Sequence, residues 1–169
     1  MDFRVFSGNL NIENVPEFLK MVSSISSENG TVIQTMDAGK IAGEKHVIFA
    51  AEKALRAIIN NCNAAKDPGI EVMRYASGKR QIGEAFSMGV HEGEMNLVFV
   101  VLGDPEPISC SMSALEKFVN KNNSMEYSAS KREAILSQFC ITEKEIEAAG
   151  EEMIPDLVLE RVALVDVFK

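Results

Sequence analysis

Apolar and polar positions alternate over residues 3–6, with Phe3 and Val5 opposite Arg4 and Phe6, which predicts a first strand. Asn14-Val15-Pro16 then opens a helix running to about residue 25, because proline suits a first turn. Phe18, Met21, Val22 and Ile25 form its apolar face. Asn29-Gly30 ends it, and residues 31–36 read as a second strand. The clearest helical spacing covers about residues 44–61, where Val47, Ile48, Ala51, Ala54, Leu55, Ile58, Ile59 and Cys62 recur on one face. Cys62 is therefore expected in the core. Ala50, Ala51, Ala54 and Ala57 are small enough to let a neighbouring element approach closely. Pro68-Gly69 is read as closing the connection that follows. Residues 96–102 are apolar on both faces and predict a strand buried on both sides, stopped by Gly103-Asp104-Pro105. Helices are expected over residues 112–120, 130–139 and 143–149, with a last one opened by Pro155 over about 156–168. Strands in the first hundred residues and helices after them predict an α+β fold. It is expected as a single domain over residues 1–169, a small mixed or antiparallel sheet packed by several helices, with a helix-rich C-terminal half.

Residues 70–85, IEVMRYASGKRQIGEA, break the pattern. They read as a short strand, a turn at Ser77-Gly78 and a helix starting at Lys79. A helix N-terminus favours acidic residues, yet this one would carry Lys79 and Arg80, with Arg74 just before Ser77 as N-cap. Such a turn suits an anion, phosphate above all. The other reading is a solvated turn whose basic side chains pair with Glu71 and Glu84.

The last helix is unusual in another way. Leu157, Val158, Leu159, Val162, Ala163, Leu164, Val165 and Val167 wrap well past one stripe. Such a helix is either buried on two sides or gives part of its surface to a partner. Its place near the C-terminus favours the partner reading, with Leu157, Leu164, Val165 and Val167 as candidate docking residues.

Composition narrows the function. The chain has 169 residues, 46% hydrophobic, and a formal net charge of −8. That acidity argues against nucleic-acid binding through the whole surface but leaves room for a local basic patch. No apolar run could span a bilayer, and the N-terminus lacks the features of a signal peptide. Cys62, Cys110 and Cys140 are isolated and odd in number, as expected of reduced thiols in a cytoplasmic protein with no membrane partner. His46 and His91 lack metal-ligand spacing; His46, at a helix start, is expected to be structural or solvated. A P-loop would need glycine where Met73 stands and Ser or Thr where Arg80 stands. No catalytic group, metal site or cofactor is expected, so a binding subunit outranks an enzyme.

EVMRYASGKRQIGEA, preceded by DAGKIAGEKHVIFAAEKALRAI, resembles the signature of the kinase-binding Cgi family, an accessory subunit of the KEOPS complex. The compact chain, with little insertion, resembles the archaeal form. The resemblance implies a non-catalytic protein that binds the complex's small atypical kinase-like ATPase, and other KEOPS subunits through it. It further implies help in holding tRNA by its 3′ CCA end while threonylcarbamoyladenosine is made next to the anticodon. On this reading Arg74, Ser77, Gly78, Lys79, Arg80 and Gln81 contact RNA, and Tyr75 is the nearest aromatic that could stack on a base, unless it is core. The rival is a small-molecule phosphate- or nucleotide-binding protein or enzyme using the same Ser77–Arg80 turn. The basic patch is expected to lie away from the apolar docking surface.

Overall fold

The computed structural model describes residues 1–167. In chain order its elements are β1 (Asp2–Ile12), α1 (Val15–Asn29), β2 (Val32–Asp37), α2 (Glu44–Ile59), α3 (Pro68–Ser77), α4 (Ile82–Ala85), β3 (Gly93–Gly103), α5 (Pro105–Glu116), β4 (Asn120–Asn122), α6 (Arg132–Phe139), α7 (Glu143–Ala149) and α8 (Ile154–Ala163). The fold is α+β. The sheet order is β2-β3-β1-β4, and every neighbouring pair is antiparallel.

β3 lies inside the sheet and is buried on both faces, as its sequence requires. Leu97, Phe99 and Val101 point to one side, where Phe6, Leu10 and Ile12 of β1 join Phe18 and Val22 of α1 and Ile108 and Leu115 of α5. Phe6 stands opposite Phe99, and their rings stack at 4.8 Å. Val98, Val100 and Leu102 point to the other side, against Met36 of β2 and the layer formed by α2, α3 and Val162 of α8. A third apolar cluster joins Ile135 and Phe139 of α6, Ile146 of α7, and Ile154 and Val158 of α8.

Local chemistry explains the element boundaries. Asn14 caps α1, its side chain accepting from Glu17 N at 3.0 Å, and Gly30 ends the helix at φ 66°. Thr142 and Glu145 form a capping box at α7. The expected alanines of α2 are buried, and α3 packs against that helix.

Several expectations need correction. Residues 70–77 are helix, not strand: Asp67 accepts from Ile70 N at 2.9 Å and Pro68 occupies the first turn, so Pro68-Gly69 opens α3. Residues 71–77 are all buried, which erased the polar face that would have signalled a helix. Pro105 likewise opens α5, and Asn120, expected in that helix, begins β4, so strands are not confined to the first hundred residues. Cys62 is exposed, because α2 ends at Ile59 and the chain turns at Asn61 (φ 54°) before reaching it. The last helix stops at Ala163 and continues as a 3₁₀ turn, Leu164–Asp166; Phe168 lies outside the described residues. Among the described residues, no helix is long and apolar enough to cross a membrane.

Gly8 shows how tightly β4 is laid on β1. A Cβ there would collide with the Val119 side chain and lie 2.8 Å from the Asn120 carbonyl oxygen, which is backbone and cannot step aside. Gly8→Ala is expected to destabilise the protein by about 1–3 kcal/mol, as overpacking does. Thermal melting checks this, and an unchanged melting temperature would contradict the packing described.

Candidate binding sites

α3 ends at Gly78, whose φ is 69° and whose N–H donates to the Tyr75 carbonyl at 3.1 Å. The Ser77 hydroxyl donates to the Arg74 carbonyl at 2.7 Å and accepts from Lys79 N at 3.1 Å. Ser77 is thus the last residue of a helix and not the N-cap of a new one. Lys79 and Arg80 follow a C-terminus, where the dipole is negative and basic residues are favourable. The amides of Gly78 and Lys79 are taken, by the Tyr75 carbonyl and the Ser77 hydroxyl, and the next helix, α4, begins at Ile82 with Gln81 as its N-cap rather than at Lys79. An anion here would be met by side chains: Arg80 and Gln81 are exposed, Lys79 and Gly78 half-buried.

Arg74 and Ser77 are buried. Arg74 donates to Glu71 twice, at 2.7 and 3.1 Å, and its ring-facing guanidinium lies 4.8 Å from the Tyr75 centroid. Burial pushes the Glu71 carboxyl up, but Arg74 and the Ala65 and Ala64 amides pull it down further, and the net direction is down. This ion pair is the one the solvated-turn reading foresaw for Glu71, although it is buried. Tyr75 is 1% exposed and belongs to the core, so it is not presented to a base.

The loop borders three clefts; one of about 590 Å³ lies beside Lys79, against Lys40, Glu84 and Gln138, and the other two take in more of the loop. The larger of these, about 660 Å³, is lined by Arg74, Lys79, Arg80 and Gln81 together with Cys62, Ala64 and Val165. The smaller, about 260 Å³, lies between Gly78–Arg80 and Phe139, Arg161, Leu164 and Val165. The basic loop and the last apolar turn are therefore neighbours, not separate surfaces as expected. Arg161 braces this junction, donating to the Phe139 carbonyl at 3.1 Å and to Glu145 at 2.7 Å.

The wide apolar surface of α8 is largely consumed inside the chain. Val162 and Val165 enter the core beside the sheet, while Val158 and Leu157 pack into the third cluster. Val165 is 2% exposed, so it offers a partner almost nothing in this conformation. Leu164 is partly exposed and Val167 is 64% exposed.

Residues 10–166 match the family model described as kinase binding protein CGI-121. The chain belongs to this family. The match runs from within β1 to the turn after α8, and so takes in the basic loop and Leu164. Kinase binding is the family's described property, and the chain is a kinase-binding protein in that sense. No curated protein matches the chain.

Within this CGI-121 fold the two histidines differ. His91 is exposed. His46 is buried: its Nδ1 accepts from Ala42 N at 3.0 Å, which leaves Nε2–H to donate to the Ala76 carbonyl at 2.8 Å. It is structural, tying the turn before α2 to the end of α3. Cys62, Ala64, Arg161 and Gln138, which line the clefts, were not legible in the sequence, because only tertiary packing brings them to the loop.

Burial lowers the His46 pKa to about 4. Below about pH 6.5 the unfolded chain binds a proton that the folded chain refuses until about pH 4. Stability is thus full above pH 6.5 and falls through that window, by about 3 kcal/mol in all. Denaturant unfolding between pH 7 and 4 checks this. His46→Gln should be less stable at pH 7 and lose that part of the pH dependence; an unchanged profile would remove His46 as its source.

Proposed function

We propose that the chain is a non-catalytic subunit of a KEOPS-type complex in the cytoplasm, docked on that complex's small atypical kinase-like ATPase. It helps to hold tRNA at the 3′ CCA end while another subunit forms threonylcarbamoyladenosine next to the anticodon. The family match carries the reading; the span it covers includes the loop that bears Lys79, Arg80 and Gln81 beside an open cleft. Two cations and a neutral amide suit a phosphate and a base edge or sugar. On a chain of net charge −8 such a patch gives modest affinity alone, and a partner that adds contacts makes it useful.

The cleft volume, about 660 Å³, is also within the range of small-ligand sites, which favours a mononucleotide as the second reading. Titration with mononucleotides, intact tRNA and 3′-trimmed tRNA separates the two. The subunit is expected to ignore mononucleotides and to lose affinity for trimmed tRNA. Saturable mononucleotide binding, equal to that of tRNA, would reverse the order.

Replacing Lys79 and Arg80 by Glu is expected to weaken tRNA binding and flatten its salt dependence, since fewer counterions are released. Equal affinity and equal salt slope in wild type and double variant would take the loop out of any RNA site.

For the kinase contact, Val167→Arg tests an exposed residue that can change without disturbing the core. A loss of about 2 kcal/mol in kinase affinity, with the fold intact, is expected if this turn is a centre of the interface. Leu164→Arg should act in the same direction. Kinase affinity equal to wild type for both folded variants would move the docking surface elsewhere.

A further inference from the structure

Arg74 lines the larger cleft, yet its guanidinium is committed elsewhere. The side chains of Glu71 and Arg74 are 0% and 4% exposed. The Glu71 carboxylate accepts four hydrogen bonds, from Arg74 Nη2 (2.7 Å) and Nε (3.1 Å) and from the amides of Ala65 (2.8 Å) and Ala64 (3.2 Å). Arg74 Nη1 donates to the Arg80 carbonyl at 3.1 Å. One ion pair therefore joins the two walls of the cleft, the connection after α2 on one side and the basic loop on the other.

We propose that Glu71 and Arg74 are positioning residues: they hold the Arg80 backbone in place, and neither touches the ligand. The inference rests on the RNA reading of this cleft. It also gives the buried carboxylate a purpose that direct contact does not. Were Arg74 itself the phosphate ligand, Glu71 would compete with the phosphate for it, and neutralising Glu71 would strengthen binding. If the pair positions Arg80, neutralising Glu71 weakens binding, although a negative charge has been removed from beside the site.

The test uses the full chain and intact tRNA, with kinase binding as the measure of folded protein. Glu71→Gln is expected to lower tRNA affinity about tenfold, the scale of one charge-assisted contact. Arg74→Lys keeps the charge but not the planar fork, and is expected to show a similar loss. On an Arg80→Gln background, Glu71→Gln should add little, since both act through the same side chain. Tighter or unchanged binding by Glu71→Gln, wild-type binding by Arg74→Lys, or losses that simply multiply in the double variant would each overturn the proposal. Should Glu71→Gln not fold, Arg74→Lys alone and combined with Arg80→Gln decides the matter in the same way. A double substitution of Lys79 and Arg80 without effect on tRNA would instead overturn the RNA reading, and this inference with it.

Discussion

Burial of β3 on both faces is the constraint from which the rest follows. Leu97, Phe99 and Val101 on one side and Val98, Val100 and Leu102 on the other all leave water. Each such side chain contributes roughly 1.5–3 kcal/mol when fully buried, so neither face can be left open. The chain answers with α1 and α5 on one face and α2, α3 and α8 on the other. α3 falls in the middle of the second layer, packed on α2, the sheet and α8. It has no face to give to solvent, and any charged residue on it must find its partner inside.

Glu71 and Arg74 are that pair. Burying two charges gains little over packing two apolar side chains, whereas removing one partner of such a pair costs about 3–5 kcal/mol. The pair lies at the point where α3 ends and the basic loop begins. A buried pair has directional hydrogen bonds that an apolar pair lacks, and here they reach Ala64, Ala65 and Arg80. His46 does a related task one turn earlier, holding the Ala76 carbonyl. The end of α3 is thus fixed from inside while Arg80 and Gln81 stay exposed.

α8 has a comparable double role. It lies between the core beside the sheet and the cluster built with α6 and α7, which accounts for its apolar breadth. The turn after it brings Leu164 and Val165 against the basic loop, and Lys53 pairs with Asp166 at 2.9 Å. In a kinase-binding protein this adjacency means that a partner seated on Leu164 and Val167 would stand close to Lys79 and Arg80.

Much of this was legible along the chain. The β3 pattern, the alanine face of α2, the Asn14 cap and Gly30 stop of α1, and the bounds of α7 are local signals, and the family resemblance within residues 37–85 is local too. So was the sense of the basic loop as a feature to explain, but not its geometry. A period can be read only when a polar face interrupts the apolar one; in α3 even Glu71, Arg74 and Ser77 are buried, and the helix passed for a strand. Cys62 kept the helical spacing of α2, but the chain had already turned at Asn61. The sheet order, the burial of the Arg74–Glu71 pair and its bonds to the Ala64 and Ala65 amides and the Arg80 carbonyl, and the meeting of Leu164 with the loop depend on what each segment finds beside it. Sequence by itself determined which segments must be buried and where several of them begin and end, because those are properties of neighbouring residues. Only the tertiary structure decided which charges are inside and which face the solvent, because desolvation and pairing depend on contacts between residues far apart in the chain.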